Sequence, residues 1–239
     1  MRLSSVYLYE KIQQQYEIQE KGNLSGSDGY LRPFLRCGIG KEGKKSEDGF
    51  QIGHVYVIQG CDANECEPVN SKAENIFWIF CKRKDTVRAE ENGETVGKGA
   101  YIQVALDSLE EIAEFMNDVQ EIFDAVDEWE RKIHDLMLEH AGMDRLLQVT
   151  SEFLQNPMTV TGLDFTFVAE AGSEYLPPRA RLYTDDGLNM EYVNALLQNE
   201  TYRDMADTHE YVMFPAYISG CRSMNRNLFV DGKATHRLV

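Results

Sequence analysis

The chain has no run of about 18 consecutive apolar residues, the least that a membrane-spanning helix needs. Its opening, Met1-Arg2-Leu3-Ser4-Ser5-Val6-Tyr7, leads straight into Glu10, Lys11 and three glutamines, so the apolar centre of a secretory signal is missing. A cytoplasmic location without membrane contact is the expectation. A secreted disulfide framework is also lacking. The five cysteines, Cys37, Cys61, Cys66, Cys81 and Cys221, are odd in number and are expected as reduced thiols. Basic charge is scarce, with 24 Lys and Arg against 40 Asp and Glu, a formal charge of −16. Such a surface repels phosphate backbones, so the chain by itself is not expected to bind nucleic acid. Signatures of catalysis are missing too: there is no Gly-x-Ser-x-Gly elbow, no paired-histidine zinc helix and no Cys-Gly-x-Cys element.

What is present is a globular composition, 43% hydrophobic and 10% aromatic, over 239 residues, enough to bury a core in one or two domains. Most of the negative charge sits between Asp107 and His140, where twelve acidic residues face only Arg131 and Lys132. The same stretch reads as one long helix. Leu109, Ile112, Met116, Val119, Phe123, Val126, Ile133 and Met137 recur at spacings of three and four, with Glu130 interrupting. Phe115, Ile122, Trp129 and Leu136 form a second column seven residues apart. An apolar face this wide suits packing in a bundle or against a domain as well as pairing with a second copy. The dimerising residues expected from the seam are Ile112, Met116, Val119, Phe123, Val126, Trp129 and Ile133. Ser108 and Glu111 fit a capping box at the start, and Gly142 is the expected C-cap.

The helix connects two mixed regions. Residues 1–106 read as a small α/β domain, with an amphipathic helix from Ser5 to Glu20 and strands at His54–Ile58, Asn75–Cys81 and Ala100–Ala105. The middle strand is nearly all apolar, as a strand buried on both faces requires. Between them lie a glycine- and charge-rich stretch, broken by a short apolar piece at Tyr30–Cys37, and an Asn92-Gly93 turn signal. Residues 107–142 form the connector, and residues 143–239 the last domain. That domain reads as a helix at Met143–Leu154 closed by Asn156-Pro157, two strands, a helix at Asn189–Gln198, a strand at Tyr211–Ser219, and a hairpin about Asp231-Gly232. Two strands, helices, then three strands is the order of a PAS/GAF-like antiparallel sensor sheet. The chain stops inside an apparent strand at Arg237-Leu238-Val239, and the expectation is a piece of a longer protein.

Few groups suggest chemistry. Gly38-Ile39-Gly40-Lys41-Glu42-Gly43-Lys44-Lys45 matches a dinucleotide pattern, and it misses a phosphate loop only because Lys45 stands where Ser or Thr would hold magnesium. The residues after it do not read as a helix, so a flexible basic loop is the preferred reading. Cys61 and Cys66 form one loose pair where zinc needs two tight ones, and neither a metal nor a cofactor is expected. Asp185-Asp186-Gly187 is first a turn signal. In the last domain Tyr175, Arg179, Arg181 and Tyr183 precede the short helix, and Tyr211, Phe214, Tyr217 and Arg222 follow it. Together they are candidates to line a pocket for an anionic or planar ligand.

A resemblance adds to this. Val119-Gln120-Glu121-Ile122-Phe123-Asp124 with Trp129-Glu130 is similar to the helix before the sensor domain of PucR/CdaR-like bacterial transcription regulators. Leu146-Leu147, Leu154-Gln155-Asn156-Pro157, Asp164-Phe165 and Asn227-Leu228-Phe229-Val230-Asp231-Gly232 continue the likeness, and His54–Leu106 resembles the small N-terminal domain of those proteins. The resemblance implies the sensory, homodimerising portion of a regulator, with a small-molecule effector and with DNA contacted only through a helix-turn-helix domain that this chain does not contain. It carries over no catalytic residue. A ligand-free dimerisation scaffold is the alternative, and a nucleotide-binding enzyme using residues 38–45 a third reading.

Overall fold

The structure, a computed structural model, describes residues 2–26, 28–37, 53–59, 75–82 and 100–239. It is mixed α/β, and the described residues form two five-stranded sheets, a two-stranded one and a helix of 30 residues. The chain divides into two compact units, Met1–Glu128 and Trp129–Val239.

In the first unit α1 (Ser5–Ile12) is followed by β1 (Ile18–Gly22), β2 (Leu31–Cys37), β3 (His54–Gln59), β4 (Phe77–Lys82) and β5 (Ala100–Ala105). The sheet order is β1-β5-β4-β3-β2, with β2 to β5 parallel and β1 antiparallel at one edge. Parallel strands are covered on both faces, and the near-unbroken apolar runs Val55–Ile58 and Phe77–Cys81 are buried throughout. Phe34, Tyr56, Trp78 and Tyr101 are register partners, forming an aromatic row across four strands.

Two expectations change here. The first helix ends at Ile12 rather than Glu20, because Ile18 and Gly22 pair with Val104 and Tyr101 of β5. Tertiary pairing overrides a local helical pattern too short to hold itself. The apolar piece at 30–37 is also a strand. Pro33 is tolerated there because β2 is an edge, and the register shifts between Leu31 and Pro33. The glycine-lysine stretch 38–45, Cys61, Cys66 and the Asn92-Gly93 turn lie outside the described residues.

The long helix, α2 (Leu109–Leu138), starts as expected. The Ser108 Oγ accepts from the Glu111 N–H at 3.1 Å, while the Glu111 carboxylate reaches back to the Asp107 N–H at 2.7 Å. Its end is different. His140, not Gly142, adopts the left-handed conformation (φ 55°). Its N–H donates to the Met137 carbonyl, and the Ala141 N–H donates to that of Leu136. These two bonds make a Schellman motif. Gly142 is instead the extended N-cap of α3 (Met143–Leu154).

The second unit continues with β6 (Met158–Gly162), β7 (Phe167–Ala171), the small β8 (Tyr183–Thr184) and β9 (Gly187–Leu188), α4 (Met190–Gln198), α5 (Glu200–Asp204), β10 (Tyr211–Phe214), α6 (Ala216–Ser219), β11 (Ser223–Val230) and β12 (Lys233–Leu238). Its antiparallel sheet has the order β10-β11-β12-β6-β7. One face carries Val160, Ala169, Leu228 and Leu238 and packs with Leu147 of α3. The opposite face turns towards a cluster built from Leu182, Tyr192, Val193, Leu196, Tyr202, Met205, Phe214 and Ile218. The strand expected at Tyr211–Ser219 stops at Phe214, since Pro215 lacks an N–H for the ladder and caps α6 instead. The β11–β12 turn is the expected Asp231-Gly232, both at positive φ as a type I′ turn demands.

Candidate ligand-binding site

The residues chosen from sequence do not converge. Tyr175 is 83% and Tyr217 76% exposed, Tyr211 also faces solvent, and Arg222 is exposed. The end of β10 at Phe214 explains part of this, because Tyr217 sits on α6 and no longer shares a strand face with Tyr211. Phe214 itself is a core residue, 1% exposed. Arg179 lies 3.8 Å from Glu191 at the surface. The Arg181 guanidinium donates to the carbonyls of Leu176 and Glu174, both at 2.9 Å, and so clamps the loop before β8. Tyr183 is half-buried against the same cluster as Phe214. Its hydroxyl donates to the Phe165 carbonyl at 2.7 Å, and burial, with Glu170 and Asp164 adding to it, pushes its pKa up to about 12. Only Tyr183 and Phe214 therefore share a site.

A different group is gathered on the face of the sheet below that cluster. On β11 the buried positions are Asn225 and Asn227, while Met224 and Arg226 point outwards. Asn227 is the register partner of Arg237 on β12, and Arg237 is the partner of Thr161 on β6. All four are buried, which makes a polar row across the middle of the sheet. The Arg237 Nε donates to the Asn227 Oδ1 at 3.0 Å. The Asn227 Nδ2 donates in turn to the carbonyls of Met205 (2.6 Å), Ala206 (3.0 Å) and Thr208 (3.3 Å), which fastens the chain after α5 onto the sheet. The Tyr202 ring lies over the guanidinium, with its centroid 4.4 Å from Cζ. Burial holds the Arg237 pKa below its ordinary value, and Tyr202 partly offsets this. The Asn225 Nδ2 donates to Ser223 Oγ at 3.3 Å, but its Oδ1 is buried with no partner.

The sequence did contain a signal for this row. Ser223-Met224-Asn225-Arg226-Asn227 inverts the usual alternation, placing amides where a half-buried strand would turn its apolar side chains inwards. Elsewhere in the unit a shallow groove of about 420 Å³ runs beside α3 and β7, lined by Asp144, Arg145, Gln148, Glu170, Gly172 and Glu174. None of the expected ligand residues reaches it. Among the described residues no three His, Cys, Asp or Glu side chains gather to hold a metal ion, and no helix is long and apolar enough to cross a membrane.

The seam of α2 is largely used inside the chain. Ile112, Val119, Phe123 and Val126 are buried by the chain's own folding, together with Phe115. Tyr16 meets Phe115 edge-on at 4.8 Å and donates its hydroxyl to Asp118, and Arg32 pairs with both Asp124 and Asp127. Met116 and Ile133 are half-buried, and Trp129 stacks on Phe153 with centroids 5.0 Å apart. Leu109, Met137 and Leu138 remain exposed. No family model, curated protein or solved structure matches the chain.

Proposed function

We propose that the chain is the sensory and dimerising portion of a cytoplasmic transcription regulator of the PucR/CdaR-like kind. The second unit takes a small-molecule effector, and α2 relays its occupancy to a DNA-binding domain outside this sequence. The observation that supports this best is the strand order of the second sheet. Two strands, then helices, then three strands fold back so that the last, β12, lies beside the first, β6. That is the order of a PAS/GAF-like sensor sheet, and its inner face carries a polar row that a purely structural core has little reason to keep. The unit boundary inside α2 supports the relay, since one helix contributes residues 109–128 to one unit and 129–138 to the other. Coupling requires an effector that prefers one of two arrangements of that helix.

Dimerisation in this reading uses the uncovered part of α2. Met137 is 61% exposed, so Met137→Glu leaves the fold intact and is expected to shift the mass measured by light scattering from dimer to monomer. A wild-type chain that is already monomeric at working concentration removes the dimer from the proposal. For the relay, a compound found by thermal shift among purines, sugar acids, amino acids and nucleotides is expected to change hydrogen exchange in residues 129–138. Binding with no change there sinks the relay. One observation favours the ligand-free scaffold: the cluster around Phe214 and Tyr202 is filled by the chain's own side chains. A dimer that raises its Tm with none of these compounds would be that scaffold.

A further inference from the structure

The biological meaning of a ligand site in the second unit rests on the sensory reading. We propose that Arg237 and Asn225 form the recognition site for a small organic acid that carries a hydrogen-bond donor beside its carboxylate, such as a hydroxy or amino acid. Arg237 is 6% and Asn225 0% exposed. An arginine so buried normally faces a carboxylate, because removing the charge from water is costly. Among the described residues no Asp or Glu pairs with it; its side-chain partners are Asn227, which accepts from Nε, and Tyr202, and neither is an anion. With an amide and a phenol as its neighbours, no anion among the described residues meets the fork that grips a carboxylate bidentately. Holding Asn227 and Tyr202 in place accounts for these contacts and leaves the charge itself unanswered.

Asn225 supplies the second half. Its Oδ1 is an acceptor buried without a donor, a state that is costly and that folded proteins rarely keep without a use. It lies on the same sheet face as Arg237, two residues along β11 from Asn227, the register partner of Arg237. A ligand that satisfies both groups brings two carboxylate oxygens for the guanidinium and one O–H or N–H for the amide. The Tyr202 ring covers the guanidinium in this structure, so binding moves that ring. Tyr202 belongs to α5, and the chain just beyond is tied to Asn227, so occupancy is felt by the α5 segment directly.

The test uses titration calorimetry on the full chain with glycolate, lactate and glycine, and with acetate and inorganic phosphate as controls. The donor-bearing acids are expected to bind at least about tenfold more tightly than acetate, a difference of about 1.4 kcal/mol. Asn225→Leu, which replaces an amide whose Oδ1 is unpaired with an apolar group of similar size, is expected to fold and to bring the donor-bearing acids down to the affinity of acetate. Arg237→Gln is expected to abolish binding of every acid. Should it fail to fold, Arg237→Lys keeps the charge, loses the fork and is expected to bind at least about tenfold more weakly. No binding by any acid at millimolar concentration, phosphate binding as well as the acids, binding that survives loss of Arg237, or a preference unchanged in Asn225→Leu would each overturn the proposal. Its failure is separable from that of the sensory reading. An effector whose action ignores Arg237→Gln leaves the sensor standing, whereas acid binding that leaves hydrogen exchange in α2 unchanged leaves only the site.

Discussion

At the scale of single residues, burial decides the chemistry. Cys81 sits in β4, and burial pushes its thiol up to about 12. The reactive species is the thiolate, so Cys81 is expected to stay unlabelled by a thiol reagent at pH 9 in the native protein and to label once the protein is denatured. Mass spectrometry of the labelled peptides checks this. Tyr101 donates its hydroxyl to Glu20, and burial, reinforced by that carboxylate, pushes its pKa up to about 12 as well. The native state therefore holds this proton more tightly than the unfolded chain does. Its contribution to stability is complete below about pH 10 and is lost as the pH rises towards about 12. Urea midpoints that fall between pH 9.5 and 11.5 in the wild type, and fall less in Tyr101→Phe, are the expected result. The expected pocket residues failed at this same scale. The sequence placed Tyr175 before the short helix and Tyr211 and Tyr217 after it, but side-chain exposure at the latter pair depends on where β10 stops, and Pro215 stops it early.

At the scale of elements, the ends of α2 were partly readable. Ser108 and Glu111 form the box their spacing implied, and Ser108→Ala is expected to cost about 1 kcal/mol in chemical denaturation. The far end was not, because the choice between His140 and Gly142 for the left-handed position depends on where the last carbonyls lie. A histidine there carries a strain that glycine relieves. His140→Gly is expected to stabilise the protein by about 0.5–1 kcal/mol, seen as a rise in Tm. The strands β3, β4 and β5 and the helix α3 were legible, since each is a strongly patterned segment. β1 was hidden inside a helical pattern, and β2 was only a short apolar piece. Their pairing partners lie up to 86 residues away in sequence, as Val104 does from Ile18.

At the scale of the whole chain, two units with separate cores are expected to unfold in two calorimetric transitions. Val119, fully buried, lies near Ile12 and Tyr16 in the first unit. Val119→Asp leaves an unpaired carboxyl there and is expected to cost more than about 4 kcal/mol, collapsing one transition and sparing the other. Phe214→Ala, at about 3–5 kcal/mol, is expected to do the reverse. A single transition moved by both variants would show that the units unfold together.

The sequence by itself determined the long acidic helix, the apolar strands of the first unit, the turns at Asp185-Asp186 and Asp231-Gly232, and the lack of a long apolar span. Each of these is written in residues within a few turns or a few pleats of one another, where spacing alone sets which side chains share a face. Only the tertiary structure decided that the α2 seam is covered by the chain's own folding over its first half. It also decided that β1 completes a sheet, and that Arg237, Asn227, Asn225 and Thr161 meet on one buried face. Those outcomes depend on which surfaces exclude water from one another, and residues 161 and 237 come together only when β12 docks beside β6.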